Sequence, residues 1–215
     1  MTKNTFKASR RSRNRGFTLV EISIVLVIIG LILGGILNAQ SVIRNAQTKD
    51  SIKALNDMTA ATRQFQDRYG MLPGDYSNAV TSLPGMVAPC AGVNGNGNGI
   101  IVTAESVCAT QHMILAGMLK GTVGSPIRLR GTTFSVVGRA GGGLPGAMTA
   151  NIPANWVNMV RVQVVDCDIA VQMDRAVDDG NTNTGNFRTS LNNCGATGTN
   201  QIETTAVADA VLRLN

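Results

Sequence analysis

The stretch that decides the fold runs from residue 15 to residue 37 and reads RGFTLVEISIVLVIIGLILGGIL. Between Phe17 and Val42 there are 26 residues and one charged side chain, that of Glu21. A helix needs about 20 apolar residues to cross a hydrocarbon core of about 30 Å, so the pattern predicts a transmembrane helix over 17–41. A carboxylate within such a helix is costly, which indicates that Glu21 has a function.

The residues ahead of this stretch carry the excess positive charge of the chain. Residues 1–16 hold six of the 19 Lys and Arg residues and none of the 13 Asp and Glu residues. The other 13 basic residues balance the acidic ones, so the pI of about 9.5 does not by itself imply a nucleic-acid partner. A positive flank stays in the cytoplasm, which places the residues beyond 41 outside it. A secretory signal peptide is the alternative, but Asn38-Ala39-Gln40 makes a poor cleavage site.

The block RGFTLVEI at residues 15–22, followed by the apolar run, resembles the N-terminus of the type IV prepilin family, which includes type IV pilins and type II secretion pseudopilins. The resemblance implies that a prepilin peptidase cuts after Gly16, removes the leader 1–16 and N-methylates Phe17. It also implies that Glu21 is the family's glutamate. The implied partners are other pilin-like subunits, an inner-membrane assembly platform and a cytoplasmic assembly ATPase.

Cleavage would remove the positive charge of the leader and create an amine at Phe17. In a filament, Glu21 of one subunit would neutralise that amine on a neighbouring subunit. Either charge would be costly to bury alone, but the two can be buried together as an ion pair. The protein is therefore expected to span the inner membrane once, with its C-terminal domain in the periplasm. It would then leave the bilayer for a periplasmic or extracellular filament.

The apolar pattern changes beyond residue 41. Apolar or small side chains recur at intervals of three and four residues, which predicts an amphipathic helix over 42–69 with one buried stripe. Gly70 and Pro73 are stop signals for this helix. The stripe consists of Leu55, Met58, Thr62, Phe65 and Tyr69.

Residues 70–215 are predicted to form a globular domain, which makes the fold class α+β: a pilin-like long N-terminal helix packed on an antiparallel sheet. The patterns predict a helix over 104–119 with Thr103 as its N-cap, and a later helix from Asp168 to Val177. Residues rich in β-branched side chains predict strands at Thr132–Gly138 and Val157–Val165, with an edge strand at Phe187–Leu191.

The four cysteines all lie beyond the membrane segment, on the side where disulfides persist. Three pairings are open. Proximity along the chain favours Cys90–Cys108 and Cys167–Cys194.

Three further segments offer weaker signals. The run that contains Asp178, Asp179, Asn181 and Asn183 has hard oxygen ligands, but it lacks the EF-hand spacing and closing glutamate, so a solvated turn is preferred to a Ca²⁺ site. No Lys-Ser/Thr pair follows the glycine-rich run 94–99, which argues against a phosphate loop. His112 is the only histidine and is predicted to be structural. No cofactor is expected, with Ca²⁺ as the one alternative.

The sequence contains no nucleophile elbow, zinc-protease motif or dinucleotide fingerprint, so an enzyme is not predicted. The predicted function is a structural subunit, pilin or minor pilin, of a type IV pilus-like filament. A type II secretion pseudopilin, which moves folded proteins across the outer membrane, is the alternative. A membrane-anchored periplasmic enzyme or binding protein is the second alternative.

Overall fold

A computed structural model describes residues 16–140, 144, 146–190, 194 and 206–214. The chain divides into two compact units, Met1–Arg44 and Asn45–Asn215. The first helix, α1, spans Leu19–Tyr69, so it begins two residues later than predicted and ends where predicted. Of the predicted leader, only Gly16 lies within the described residues.

The second unit contains the amphipathic part of α1. Leu55 and Phe65 are fully buried, and Met58 and Thr62 are buried almost completely, so the predicted stripe is confirmed. Ala61 completes it, and Ile52 and Tyr69 pack against its edges. The apolar side chains of this stripe belong to the same hydrophobic core as residues of the sheet, which joins helix and sheet into one packed body.

Within the described residues, the sheet has five strands in the order β1-β2-β3-β5-β4, and every neighbouring pair is antiparallel. In the middle of the sheet, Val160 lies opposite both Val136 and Leu212. The strands are β1 (Ile127–Leu129), β2 (Thr132–Gly138), β3 (Asn158–Asp166), β4 (Phe187–Thr189) and β5 (Ala206–Arg213). The α+β fold class with its antiparallel sheet is therefore confirmed.

Only β2 has the predicted bounds: β1 was not predicted, and β3 lies one residue later than the predicted Val157–Val165. The predicted edge strand is β4, which ends at Thr189, and Leu191 lies outside the described residues. Like β1, the strand β5 has no counterpart in the prediction, although it lies between β3 and β4.

Both faces of the sheet are covered, because successive side chains of a strand point to opposite sides. Val136 and Val160 face the main core, whereas their neighbours in sequence, Val137 and Met159, belong to a second cluster around Trp156. The main core also receives the helices α2 (Ala79–Ser82), α3 (Thr103–Leu115) and α5 (Cys167–Val177), and the second cluster receives α4 (Gly146–Asn151).

The start and end of α3 correct the prediction. The helix begins at Thr103 rather than after it, and the residue at its N-cap is Val102. The carboxylate of Glu105 accepts the Val102 N–H at 2.9 Å, so a side chain within the first turn satisfies the helix start. The helix ends at Leu115, and Gly117 follows with a positive φ of 74°.

Candidate functional site

The candidate processing site lies where α1 begins. Gly16, Phe17 and Thr18 precede the helix and are exposed. The side chain of Glu21 accepts hydrogen bonds from the Thr18 N–H at 2.8 Å and the Thr18 hydroxyl at 3.0 Å. In return, the Glu21 N–H donates to the Thr18 hydroxyl oxygen at 3.2 Å. These reciprocal bonds form a capping box, which starts the helix at Leu19, two residues after Phe17.

Sequence reasoning missed this capping role of Glu21. The signal was visible in the sequence, because a threonine followed three residues later by a glutamate is the capping-box spacing. Glu21 thus has a local partner within the single chain, before any neighbouring subunit is considered.

The apolar part of α1 exposes its side chains in all directions. Between Phe17 and Ile36, the large apolar side chains are 46% to 91% exposed, and Leu19 is the most exposed. By length and composition, the helix can cross a membrane, with a mean hydropathy of 2.7 over its most apolar window. A surface of this kind needs a lipid or protein environment.

The structure joins Cys90 to Cys108 and Cys167 to Cys194, with Cα–Cα distances of 5.5 and 5.2 Å. These are the pairs that proximity along the chain favours. The second disulfide ties the start of α5 to Cys194, whose carbonyl accepts a hydrogen bond from the Thr182 hydroxyl. Both disulfides lie in the unit formed by Asn45–Asn215.

His112 lies in the core of the same unit. Its Nδ1 accepts the Gly74 N–H at 2.9 Å, and its ring stacks on Phe65 with 6.0 Å between the ring centroids. Its Nε2 is buried and has no hydrogen-bond partner. Burial lowers the pKa of His112 to about 4, so the ring is neutral at neutral pH. This arrangement supports the structural role predicted for His112.

The glycine-rich run 94–99 wraps around one buried carboxylate. Asp75 accepts the N–H groups of Gly97 at 2.7 Å, Asn98 at 3.2 Å and Gly99 at 2.7 Å. Gly97 and Gly99 both have positive φ, which allows the loop to turn its N–H groups inward. Because these donors bind a carboxylate of the same chain, they do not form a phosphate loop.

The described residues also contain a group of acidic side chains at the end of α5. One carboxylate oxygen from each of Asp174, Asp178 and Asp179 lies within 4.8 Å of the others. The sequence pointed to the last two together with Asn181 and Asn183. It missed Asp174, although its spacing of four residues from Asp178 on a helix would have indicated a shared face.

Asp174 is the fully buried member of this acidic group, and its pKa is the one most affected by burial. Burial raises the pKa of Asp174 to about 7, and the charges of Asp179 and Asp178 add to the effect. The Gly180 backbone N–H, which lies next to the carboxylate, and the positive charge of Arg188 lower this pKa in part.

The pKa of Asp179 is shifted in the opposite direction to that of Asp174. Hydrogen bonds from the Thr184 hydroxyl and the Asn181 N–H lower the pKa of Asp179. Two carboxylates of one group therefore have environments that move their pKa values in opposite directions.

Comparison with known proteins identifies the class of the chain. Residues 11–37 match the family model described as a prokaryotic N-terminal methylation motif. The chain is also 30% identical to the fimbrial protein EcpC of Eikenella corrodens over 122 residues, which are 55% of this chain and 74% of that protein. No solved structure matches the chain. The chain belongs to the type IV pilin-like family.

Membership places the chain in a family of structural subunits. In general, such subunits are processed by prepilin peptidase and assemble with other pilins. The prepilin motif and the apolar N-terminal helix fit a protein that is first anchored in a membrane and later resides in a filament.

Proposed function

We propose that this chain is a pilin or minor pilin of a type IV pilus-like filament, assembled from the inner membrane after cleavage between Gly16 and Phe17 and N-methylation of Phe17. The observation that carries the proposal is the methylation motif at residues 11–37, followed by a helix whose apolar side chains are exposed. The similarity to a protein named as fimbrial favours a pilus over a secretion pseudopilus.

In this proposal, the chain has four functional parts. Residues 1–16 are the cytoplasmic leader, and 17–41 form the transmembrane segment that becomes the filament core. Residues 42–69 continue the helix as its amphipathic part, and 70–215 form the periplasmic, later surface-exposed, domain. An inner-membrane platform and a cytoplasmic ATPase drive assembly, because the sequence contains no nucleotide-binding motif of its own.

The physical basis for assembly is the exposed surface of 17–36. In the bilayer, lipid covers these side chains, and in a filament the helices of neighbouring subunits cover them instead. Removal of the leader takes away six basic side chains that would otherwise have to leave the cytoplasmic side of the membrane. Cleavage is therefore the step that allows the subunit to move out of the bilayer.

Glu21 has two roles in this proposal. In the single subunit, it caps the helix through Thr18. In the filament, its negative charge neutralises the methylated amine of Phe17 on a neighbouring subunit, and the two charges are buried together. A carboxylate can serve both roles, because it has about four lone-pair sites and the Thr18 donors occupy only two of them.

Intact-mass and N-terminal peptide mass spectrometry on sheared surface filaments and on membranes tests the processing. The expected result is a chain that begins at N-methylated Phe17 and is abundant in the sheared fraction. The same chain confined to membranes would favour a pseudopilin. A chain that begins at Met1, or after residue 38, would overturn the filament proposal and favour a membrane-anchored or secreted protein.

Two variants separate the roles of Glu21. Glu21→Gln keeps an acceptor for the capping box but removes the charge, whereas Thr18→Val removes the cap and keeps the charge. If charge neutralisation drives assembly, Glu21→Gln abolishes surface filaments and Thr18→Val retains them. The reverse result would show that the cap, not the charge, is what assembly requires.

A further inference from the structure

The glycine-rich run 94–99 is the chemically most labile part of the sequence. It contains all three Asn-Gly pairs of the chain, Asn94-Gly95, Asn96-Gly97 and Asn98-Gly99. Asparagine followed by glycine is especially prone to deamidation, because glycine has no side chain to shield its backbone nitrogen from the neighbouring amide. The three asparagines are exposed, so water reaches them. The structure of this loop therefore decides whether the reaction takes place.

Deamidation of an Asn-Gly pair takes place in two steps. The glycine nitrogen gives up its proton and forms a bond to Cγ of the asparagine, the bond from Cγ to the side-chain nitrogen breaks, and ammonia leaves with the proton. The product is a five-membered succinimide ring. Water then opens the ring at either carbonyl, which leaves aspartate or isoaspartate. The reaction therefore needs water and a glycine nitrogen that can lose its proton.

The fold requires a glycine after each of the three asparagines. Gly97 has a φ of +72° and Gly99 a φ of +82°, values that side chains with a Cβ rarely adopt. Gly95 has a different reason, because a Cβ there would lie 2.2 Å from the carbonyl carbon of Asp75. The loop therefore cannot avoid the reaction by exchanging its glycines.

The asparagine side chains themselves are not protected. The side-chain oxygen of Asn96 accepts the Asn98 N–H at 2.9 Å, and that of Asn98 accepts the Ile100 N–H at 2.8 Å. The side-chain oxygen of Asn94 accepts the Val80 N–H at 2.8 Å. A donor at this position stabilises the negative charge that develops on the oxygen when a nitrogen adds to Cγ. Protection of these pairs therefore has to act on the glycine nitrogens.

The buried carboxylate of Asp75 acts on two of these nitrogens. The Gly97 N–H donates to one carboxylate oxygen at 2.7 Å and to the backbone carbonyl oxygen of Asp75 at 2.9 Å. The Gly99 N–H donates to the other carboxylate oxygen at 2.7 Å. Asp75 is 1% exposed, so water screens its charge weakly. Loss of either proton would place a negative nitrogen against a negative carboxylate, which is unfavourable.

Gly95 provides a contrast within the same loop. Its N–H donates to the backbone carbonyl oxygen of Tyr76 at 3.0 Å, which is a neutral acceptor. Hydrogen bonds to charged groups are stronger than those between neutral groups. Asn94 is therefore expected to be the least protected of the three asparagines.

We propose that Asn96 and Asn98 are deamidation sites, and that Asp75 keeps both unmodified in the folded domain by holding the protons of Gly97 and Gly99 in place. Reaction at Asn98 would add a carboxylate close to that of Asp75, so loss of the Asp75 contacts would be followed by an irreversible change in the loop. The proposal uses only residues of the globular unit, so it stands or falls independently of filament assembly.

Peptide mass spectrometry during incubation at mildly alkaline pH tests the proposal, by measuring the converted fraction of each asparagine in the full chain in detergent micelles. The same chain unfolded in guanidinium chloride is the reference, and its three pairs are expected to react at similar rates. In the folded chain, Asn96 and Asn98 are expected to react at least about tenfold more slowly than in the reference, and more slowly than Asn94. Trp156 fluorescence checks that the chain stays folded.

Asp75→Asn removes the charge and leaves one side-chain oxygen in place of two. Conversion of Asn98 is expected to become about tenfold faster than in the unmodified folded chain, because the carboxylate is the acceptor for the Gly99 N–H. Asn96 is expected to change less, because the Asp75 carbonyl oxygen still accepts the N–H that follows it. The rate at Asn94 is expected to stay the same.

Met148→Ala is the matched control. Met148 is 0% exposed in the second cluster around Trp156, so this change lowers the stability of the domain without removing a loop contact. It is expected to leave the three rates unchanged. Equal acceleration in Met148→Ala and Asp75→Asn would overturn the proposal, because overall stability and not Asp75 would then protect the loop.

Two results on the unmodified chain would also overturn the proposal. One is an absence of conversion in guanidinium chloride, and the other is equal rates at Asn96 and Asn98 in the folded and unfolded chains. If Asp75→Asn fails to fold, the order of rates in the folded unmodified chain decides. Conversion of Asn94 no faster than that of Asn98 would refute the protective role of Asp75.

Discussion

Replacing His112 with asparagine is expected to change how the stability of the domain depends on pH. His112 is fully buried, and its Nδ1 accepts the Gly74 N–H at 2.9 Å. The asparagine oxygen can occupy nearly the position of Nδ1, so the variant keeps an acceptor for Gly74 but loses the titratable ring. Because the chain has one histidine, no other imidazole contributes to the comparison.

The size of the expected change in stability follows from the pKa of His112. Burial lowers the pKa of His112 from 6.5 to about 4, and each pKa unit corresponds to about 1.4 kcal/mol, which gives about 3 kcal/mol. Since the folded-state pKa is the lower one, this stability is present above pH 6.5 and is lost as the pH falls toward 4. Near pH 5, the unfolded chain binds about 0.9 more protons at this residue, a slope of about 1.2 kcal/mol per pH unit.

Urea unfolding of the full chain in detergent at pH 4.5 to 7.5 measures this slope. Trp156 is the only tryptophan and is 2% exposed, so its fluorescence reports loss of the native core. The readout is the slope of the unfolding free energy against pH, not its absolute value, because asparagine fills less space than histidine. All other titrating groups are shared, so the difference between the two slopes isolates His112.

The expected difference is about 1.2 kcal/mol per pH unit near pH 5, with the unmodified chain losing more stability on acidification. Equal slopes would refute the reasoning, because His112 would then titrate alike in the folded and unfolded chains. A steeper loss in the variant would show that the sign is wrong.

Three other predictions concern stability, and urea unfolding checks each of them. Asp75→Asn replaces the carboxylate that accepts three loop N–H groups with an amide, and it is expected to lower the free energy of unfolding by about 3 kcal/mol or more. An unchanged urea midpoint would show that Asp75 does not hold the loop. Phe65→Ala is expected to lower the free energy of unfolding by about 3–5 kcal/mol, whereas Gln66→Ala, at the exposed neighbouring residue, changes it by at most about 0.5 kcal/mol. Similar losses in the two variants would show that Phe65 is not part of the core. Cys167→Ser removes a disulfide between residues 27 positions apart and is expected to lower the free energy of unfolding by about 3–4 kcal/mol without reductant. With reductant, which also opens this disulfide in the unmodified chain, the two proteins are expected to be equally stable.

Much of the fold could be predicted from the sequence because the signals are local. The stripe from Leu55 to Phe65 follows from spacing along one helix, and the strands β2 and β3 follow from runs of β-branched residues. In such cases, the residues that decide the structure are close neighbours in the chain.

The prediction was weaker where a structure depends on distant partners. Strand β5 reads AVADAVLR, with alanines and an aspartate that do not favour a strand, yet it pairs with β3 along seven residue pairs. The buried Asp209 of this strand forms a salt bridge with Arg161 of β3, at 2.6 Å, and is acceptable there only because of that partner. Neither residue indicates the pairing by itself.

The candidate sites divide in the same way. The sequence alone determined the prepilin block at residues 15–22 and the apolar helix, because a processing motif and a membrane span are read from consecutive residues. Only the tertiary structure brought Asp75 under its glycine-rich loop, His112 against Gly74, and Asp174 beside Asp178 and Asp179. The physical reason is that burial and charge proximity are properties of the folded chain, set by residues that packing brings together.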